Sequence, residues 1–287
     1  MIPLTRLKKD VQFNGELAKV VDVLKGIAVA RYYALEKQME QFDQFFTACG
    51  QFLGAMDLKN MNHPFTYPSS GGVSVLVVTS DAGFLGGLNS QVLGTGIKEG
   101  GEQMALSVIG ERGAGAARDL RREFASFPGI QDHSRFALAS AVRDHLVRQV
   151  LSGQCGRVVV VYPKPVSFSV QQVVAEPLLP VTAWAEEAAP HRVSAQTLWE
   201  SQPESILEYV TTQWIAQRLS TIFGLSRLAE MAARFIHLEG SFQELTRQGK
   251  KLKLNYFRSK HEVIDRSMRE IFAAQLLYKK KEEEAHE

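Results

Sequence analysis

The chain has few cysteines, almost no surplus of one charge and no long apolar run, and each shortage excludes a class of protein. Its two cysteines, Cys49 and Cys155, form no spaced motif. That leaves neither a disulfide framework nor enough ligands for a metal cluster, and fits reduced thiols in a cytosolic protein. With 33 basic against 31 acidic residues the formal net charge is +2, which is unlike a protein built mainly to coat nucleic acid. No stretch approaches the roughly 18 apolar residues of a membrane span. The opening "MIPLTRLKKDVQF" has no apolar core followed by a small-residue cleavage site, so no secretory signal is expected.

Proline is missing where its absence matters most. Of ten prolines, Pro3 stands alone and the rest lie between Pro64 and Pro203, which leaves residues 4–63 and 204–287 free of them. Proline breaks helix interiors, so two proline-free ends around a proline-dotted centre predict long helices flanking a globular insert. The apolar spacing agrees. Leu228, Met231, Phe235, Leu238, Phe242 and Leu245 alternate steps of three and four, and the series continues through Gly249, Leu252 and Tyr256. This is a coiled-coil seam. Near the N-terminus Val21, Leu24, Ala28, Arg31, Leu35, Gln38, Phe42 and Phe45 follow the same rhythm with two polar interruptions.

These spacings give an expected geometry. One helix over residues 4–56 would be roughly 80 Å long, and one over 204–280 about 115 Å. Ends of a compact insert commonly lie close together, so the two helices should run antiparallel, with Leu4 opposite Tyr256. From about residue 257 a single helix should then project. Its apolar residues (Val263, Ile264, Met268, Ile271, Phe272, Leu276, Leu277) would need a partner in another protein, because a lone amphipathic helix is marginal in water. Gly224, Gly240 and Gly249 each weaken the long helix by about 1 kcal/mol relative to alanine, which points to bends or close helix contacts. The closing "KKKEEEAHE" reads as a solvated, fraying end.

The insert reads as strand, helix, strand, helix, strand. "VSVLVVTS", "MALSVIG" and "RVVVVYPKP" are strands, "LNSQVLGTGIKEG" and "SRFALASAVRDHLVRQVLSG" helices, and "SFSVQQVVAEPLLPV" a further strand and turn. The fold class is α/β plus coiled coil. Its expected divisions are an N-terminal helix over 1–60, a central α/β domain over 72–200 and a C-terminal helix over 204–287.

A strand ending in Ser80-Asp81, followed by Gly83, Gly86 and Gly87, could cradle a phosphate on backbone N–H groups. Yet "GFLGGLN" is not G-x-G-x-x-G, "GERGAGAARDL" fails that pattern too, and no G-x-x-x-x-G-K-[ST] occurs. No spacing links Ser80 to His133, His145 or His191 as a triad. Ser80, Asp81, Gly83, Gly86, Gly87 and Asn89 therefore read as a structural turn with a helix-capping Ser/Asp. No catalytic, cofactor-binding or metal-binding residue is assigned.

The order of these features resembles the gamma subunit of F-type ATP synthases, in which antiparallel N- and C-terminal helices flank a Rossmann-like α/β domain. The family's Thr-Ser-Asp-x-Gly-Leu-Cys-Gly-Gly-x-Asn turn stands here as "TSDAGFLGGLN". "AEMAARFIHLEGSFQEL" and "NYFRSKHEVIDRSMREIFAA" resemble its long helix, "LWESQPESILEYV" the stretch leading into it, and "YPKPVSFSVQQVVAEPLLPV" the strand before that. The likeness spans nearly the whole chain. There are departures: the Leu-Cys pair is Phe84-Leu85, the usual basic residue after Ser-Asp is Ala82, and an Arg-Gln pair of the last helix falls on Lys260-His261. A fork-shaped guanidinium has become a point charge there. They mark a divergent member, with an alternate F-type complex as the refinement they suggest.

The resemblance implies a non-catalytic rotor shaft that couples ion-driven rotation to ATP synthesis or hydrolysis elsewhere. Its implied partners are the alpha and beta subunits around the helical tip, with Lys260, His261, Ile264, Met268 and Ile271 in contact. The epsilon subunit and the ring of membrane c subunits would meet the α/β foot near Trp199 and Glu200, although Trp199 reads equally as a core anchor. The implied location is peripheral, on the cytoplasmic face of a bacterial inner membrane. Two rivals stay open on the residues alone: a small α/β enzyme for a phosphorylated ligand with a helical dimerisation arm, and a stand-alone coiled-coil scaffold.

Overall fold

The computed structural model describes residues 3–39, 42–56, 58–67, 71–182, 184–185 and 201–284, with the side chains of 59 and 277–284 left aside. Trp199 and Glu200 lie outside the described residues. The element order is α1 (Leu4–Lys37), α2 (Asp43–Gly54), β1 (Val73–Val78), α3 (Leu88–Gly100), β2 (Ala105–Ile109), α4 (Glu111–Asp119), β3 (Phe124–Phe127), α5 (Arg135–Leu151), β4 (Arg157–Ser167), β5 (Val170–Leu179) and α6 (Pro203–Glu284). The chain divides into two compact units, one formed by residues 1–27 with 238–287 and the other by 28–237.

The larger unit is built on a five-stranded sheet of order β3-β2-β1-β4-β5. β1, β2, β3 and β4 run parallel, and β5 returns antiparallel on β4. The valine-rich centre of β1 is buried on both faces, as parallel strands with helices on either side must be. Alternate residues go to opposite cores. Leu76 and Val78 pack with residues of α2, α5 and α6, among them Leu53, Leu146, Leu219 and Phe223. Val75 and Val77 pack with Val92 and Leu93 of α3 and Ala114 and Ala117 of α4. Three layers result, with α6 supplying much of one.

Two elements exceed the sequence-based expectation. α4 occupies a stretch read only as a failed phosphate motif, and β3 one to which no element was assigned. Gly113 and Gly115 lower helix propensity there, and β3 has just four residues, too short for a period to register. The expected single helix over 4–56 is interrupted. α1 closes with hydrogen bonds from Gln38 N–H to the Leu35 carbonyl and from Met39 N–H to the Glu36 carbonyl, the tightened last turn common at helix ends. A new helix then starts at Asp43, an acidic residue suited to a helix N-terminus. α2 serves the sheet: Phe46 packs edge-on against Trp214 at 6.0 Å, while Phe45 faces solvent.

The smaller unit is a pair of helical segments. On its α1 segment the inward positions are Leu4, Leu7, Val11, Asn14, Ala18, Val21 and Lys25. Lys25, rather than the more apolar Leu24, sits inward. Its ammonium lies 2.9 Å from Glu239 and 4.4 Å from the Phe242 ring centre, so the alkyl stem is covered and the charge is paired. In the larger unit the corresponding inward positions are Ala28, Tyr32, Leu35 and Met39, in place of Arg31 and Gln38. The two polar interruptions therefore vanish from the seam. On α6 every expected seam position through Tyr256 is buried or half-buried, and Ser259 extends the series.

The pairing register differs from the expectation by about one helical turn. Lys25 meets Glu239, and a Cβ on Gly249 would lie 2.6 Å from Asn14 Oδ1. Carried on, this places Leu4 near Ser259 rather than Tyr256. From Lys260 to Leu276 every side chain is exposed.

Candidate functional site

The motif Thr79–Asn89 follows the carboxyl end of β1, and each polar side chain in it ties two elements together. Thr79 Oγ1 donates to the Ile109 carbonyl at 2.5 Å and accepts from the Gly113 N–H at 3.1 Å, which joins β1 to β2 and α4. Ser80 Oγ donates to the Ala82 carbonyl and accepts from Asn89 Nδ2 at 3.0 Å, while the Ser80 N–H reaches Asn89 Oδ1 at 3.2 Å. The first turn of α3 is thereby pinned to β1. Asp81 Oδ1 accepts the Glu111 N–H at 2.9 Å, so its carboxylate stands at the positive end of α4.

The glycines make room and set the turn. Gly86 and Gly87 have φ of +59° and +91°, in the left-handed region that glycine enters without penalty. Phe84, where the family's motif has leucine, has φ of +64°; it is exposed and leans on His237 with ring centres 6.3 Å apart. Gly83 offers its carbonyl to Arg234 Nε at 3.4 Å. Across the turn, a Cβ on Gly110 would lie 2.6 Å from the Thr79 carbonyl oxygen. The glycines of "GERGAGAARDL" thus accommodate Thr79 and do not cradle a ligand.

Beside the motif is the crevice where the strand order reverses, with β2 on one side of β1 and β4 on the other. Open α/β sheets bind ligands at such a point, outside the carboxyl ends of the strands. Here the chain's own helix α6 lines it. Glu230, 5% exposed, projects from α6 between Arg227 and Arg234, bonded to Arg227 Nη1 and, at 2.6 Å, to Arg234 Nη2. Burial lowers the pKa of Arg227, but Glu230 and Asp132 outweigh it and hold the guanidinium above its ordinary value. A cavity of about 250 Å³ remains, lined also by Arg31, Ser80, Asn89 and Ser226. That is below the roughly 300–1,000 Å³ of pockets for drug-sized ligands, and no nucleophile stands in it beside a general base.

Sequence reasoning missed Thr79 as the hub of the motif, although it opens the quoted stretch. It also missed Glu230, whose signal was a lone acid in the apolar run "LAEMAARF". The expected contact residues Lys260, His261, Ile264, Met268 and Ile271 all lie on the exposed end of α6. No described helix is long and apolar enough to cross a membrane. Among the described residues no group of three or more His, Cys, Asp or Glu side chains could hold a metal ion.

Fold and site together define an α/β domain whose switch-point crevice is lined by the chain's own last helix, and a separate unit of two packed helical segments. The family model described as ATP synthase matches residues 4–275, and the chain belongs to that family. Its curated relatives include the ATP synthase gamma chain of Desulforudis audaxviator, 25% identical over 94% of this chain and 97% of that one. The ATP synthase gamma chain of Chlorobaculum tepidum is 24% identical over 89% and 91%. Among solved structures, a chain of the Euglena gracilis mitochondrial ATP synthase, described as OSCP/F1/c-ring, superposes with a TM-score of 0.70 over 95% of this chain and 93% of that chain, at 14% identity.

Proposed function

We propose that the chain is the central rotor shaft of an F-type ATP synthase, a non-catalytic subunit that couples ion-driven rotation to ATP synthesis or hydrolysis on its partners. One observation carries the reading: the exposed end of α6. Over Lys260–Leu276 the helix presents Val263, Ile264, Met268, Ile271, Phe272 and Leu276 with exposures from 44% to 70%. Such a face requires a surrounding protein surface, and the alpha and beta subunits of a catalytic head supply a sleeve of that kind. Lys260 and His261, with Ile264, Met268 and Ile271, are the proposed contacts. Coupling then works through contacts that differ among the catalytic subunits as the shaft turns.

The α/β unit is the proposed foot, meeting the epsilon subunit and the c ring, with Trp199 and Glu200 near that contact. Its proposed place is the cytoplasmic face of a bacterial inner membrane, held there through partners. The gamma-chain names of the curated relatives, and the rotor and c-ring descriptions of solved structures with this fold, support the foot reading.

The test is co-expression with the cognate alpha and beta subunits, with ATP hydrolysis compared for the full chain and a chain ending at Ser259. The expected outcome is co-purification of both chains with alpha and beta and a loss of coupled hydrolysis in the truncated one. Failure of the full chain to associate would overturn the proposal.

A further inference from the structure

We infer that the free end of the β4–β5 hairpin is a strap that holds the later part of α1 against α6 within the larger unit, with Phe168 as its fastening. The inference goes beyond the shaft reading and does not depend on it. β4 pairs with β1 only over residues 157–161; from 162 to 167 its one described strand partner is β5. At about 3.3 Å per residue that leaves a two-stranded ribbon reaching roughly 20 Å beyond the pairing with β1. A ribbon of two strands is marginal on its own in water, so this one needs packing at its base and at its tip.

The base is tied to α6. The Arg218 guanidinium grips both oxygens of Glu176 on β5, at 2.5 and 2.8 Å, and the Tyr162 hydroxyl of β4 donates to Glu176 at 2.9 Å. A forked, charge-assisted pair fixes direction as well as distance. The tip reaches both helices. Phe168 is half-buried, while Ser167, Ser169 and Val170 around it are exposed. Its ring stands edge-on to Tyr32 with centres 4.8 Å apart, parallel to Tyr33 at 6.4 Å, and 5.1 Å from Phe235. Tyr32 and Tyr33 belong to α1 and Phe235 to α6, so one side chain bridges the two. The turn is shaped to present it: Ser167 Oγ accepts the Val170 N–H at 3.2 Å, and Gln171 Nε2 donates to the Phe168 carbonyl at 3.1 Å. Pro163 and Pro165 restrict the backbone of β4 on the way out. Release of the tip would let residues 28–37 of α1 open as a local unit while the sheet stays folded.

The test is hydrogen exchange of the full chain, read by mass spectrometry. Phe168→Ala should speed exchange of the 28–37 amides by about tenfold, as loss of the aromatic contacts implies, and leave the amides of α3 and α5 unchanged. Phe168→Leu keeps apolar bulk and should give a smaller rise over the same segment; it carries the test if the alanine variant does not fold. Val166→Ala, on the same ribbon but 63% exposed, should change nothing. Unchanged exchange at 28–37 in the Phe168 variants, or a rise spread evenly over residues 28–237, would overturn the strap. Neither outcome involves another subunit, so the shaft proposal stands or falls separately.

Discussion

At the scale of the residue, Thr79 shows how one hydroxyl organises the switch point. It satisfies a carbonyl of β2 and an N–H of α4 from a residue only 6% exposed. Thr79→Val keeps the shape and strands the Gly113 N–H, while the Ile109 carbonyl keeps the backbone N–H of residue 79 at 2.9 Å. The expected destabilisation is about 2 kcal/mol, within the range for buried groups left unpaired, read as a lowered midpoint in urea with an unchanged slope. The turn itself was legible because glycines, serine and aspartate cluster after a valine run. The roles were not, because spacing alone does not reveal that Asp81 caps α4, thirty residues on, rather than the helix that follows it directly.

At the scale of the element, the glycines of the long helix separate into two kinds. A Cβ at Gly224 would lie 2.7 Å from Met39 Sδ, and one at Gly249 would meet Asn14 Oδ1, whereas Gly240 has nothing within 4 Å. Gly240→Ala should therefore stabilise the protein by about 1 kcal/mol, the difference in helix propensity. Gly110→Ala should do the opposite, by about 2 kcal/mol or more, because its φ of +93° and the adjacent Thr79 carbonyl admit no side chain. Thermal melts of the two variants give the signs.

The seam of α6 was readable position by position because its apolar residues recur without competitors. The seam of α1 was readable only in part. Leu24 beside Lys25, and Arg31 beside Tyr32, offer two rotations of the helix that differ by one residue. A paired lysine lying over a phenylalanine ring resolves the first choice in a way hydrophobicity does not anticipate. The short β3 and glycine-bearing α4 gave no periodic signal at all.

At the scale of the whole molecule, buried titratable groups set a pH window for stability. Burial holds His63 and His145 below the ordinary histidine value. His63 Nδ1 accepts the Phe65 N–H, and His145 Nε2 is buried without a partner; both favour the neutral ring. The unfolded chain, with ordinary values near 6.5, therefore binds protons first as pH falls. The contribution is complete above about pH 6.5 and declines below it. At the alkaline end burial raises the thiols of Cys49 and Cys155. The unfolded chain then loses protons first, and stability declines above about pH 8.5. Urea midpoints across this range should show a plateau with two falling limbs, and His145→Leu should shallow the acid limb.

The bare end of α6 also governs how long an unassembled copy survives. A helix without tertiary support opens readily, and cleavage by proteases follows the population of the open form. A copy made in excess of its companions presents such a segment to every protease it meets, while one enclosed by companions does not. The cellular supply of this chain is then trimmed to theirs, with no dedicated degradation signal needed.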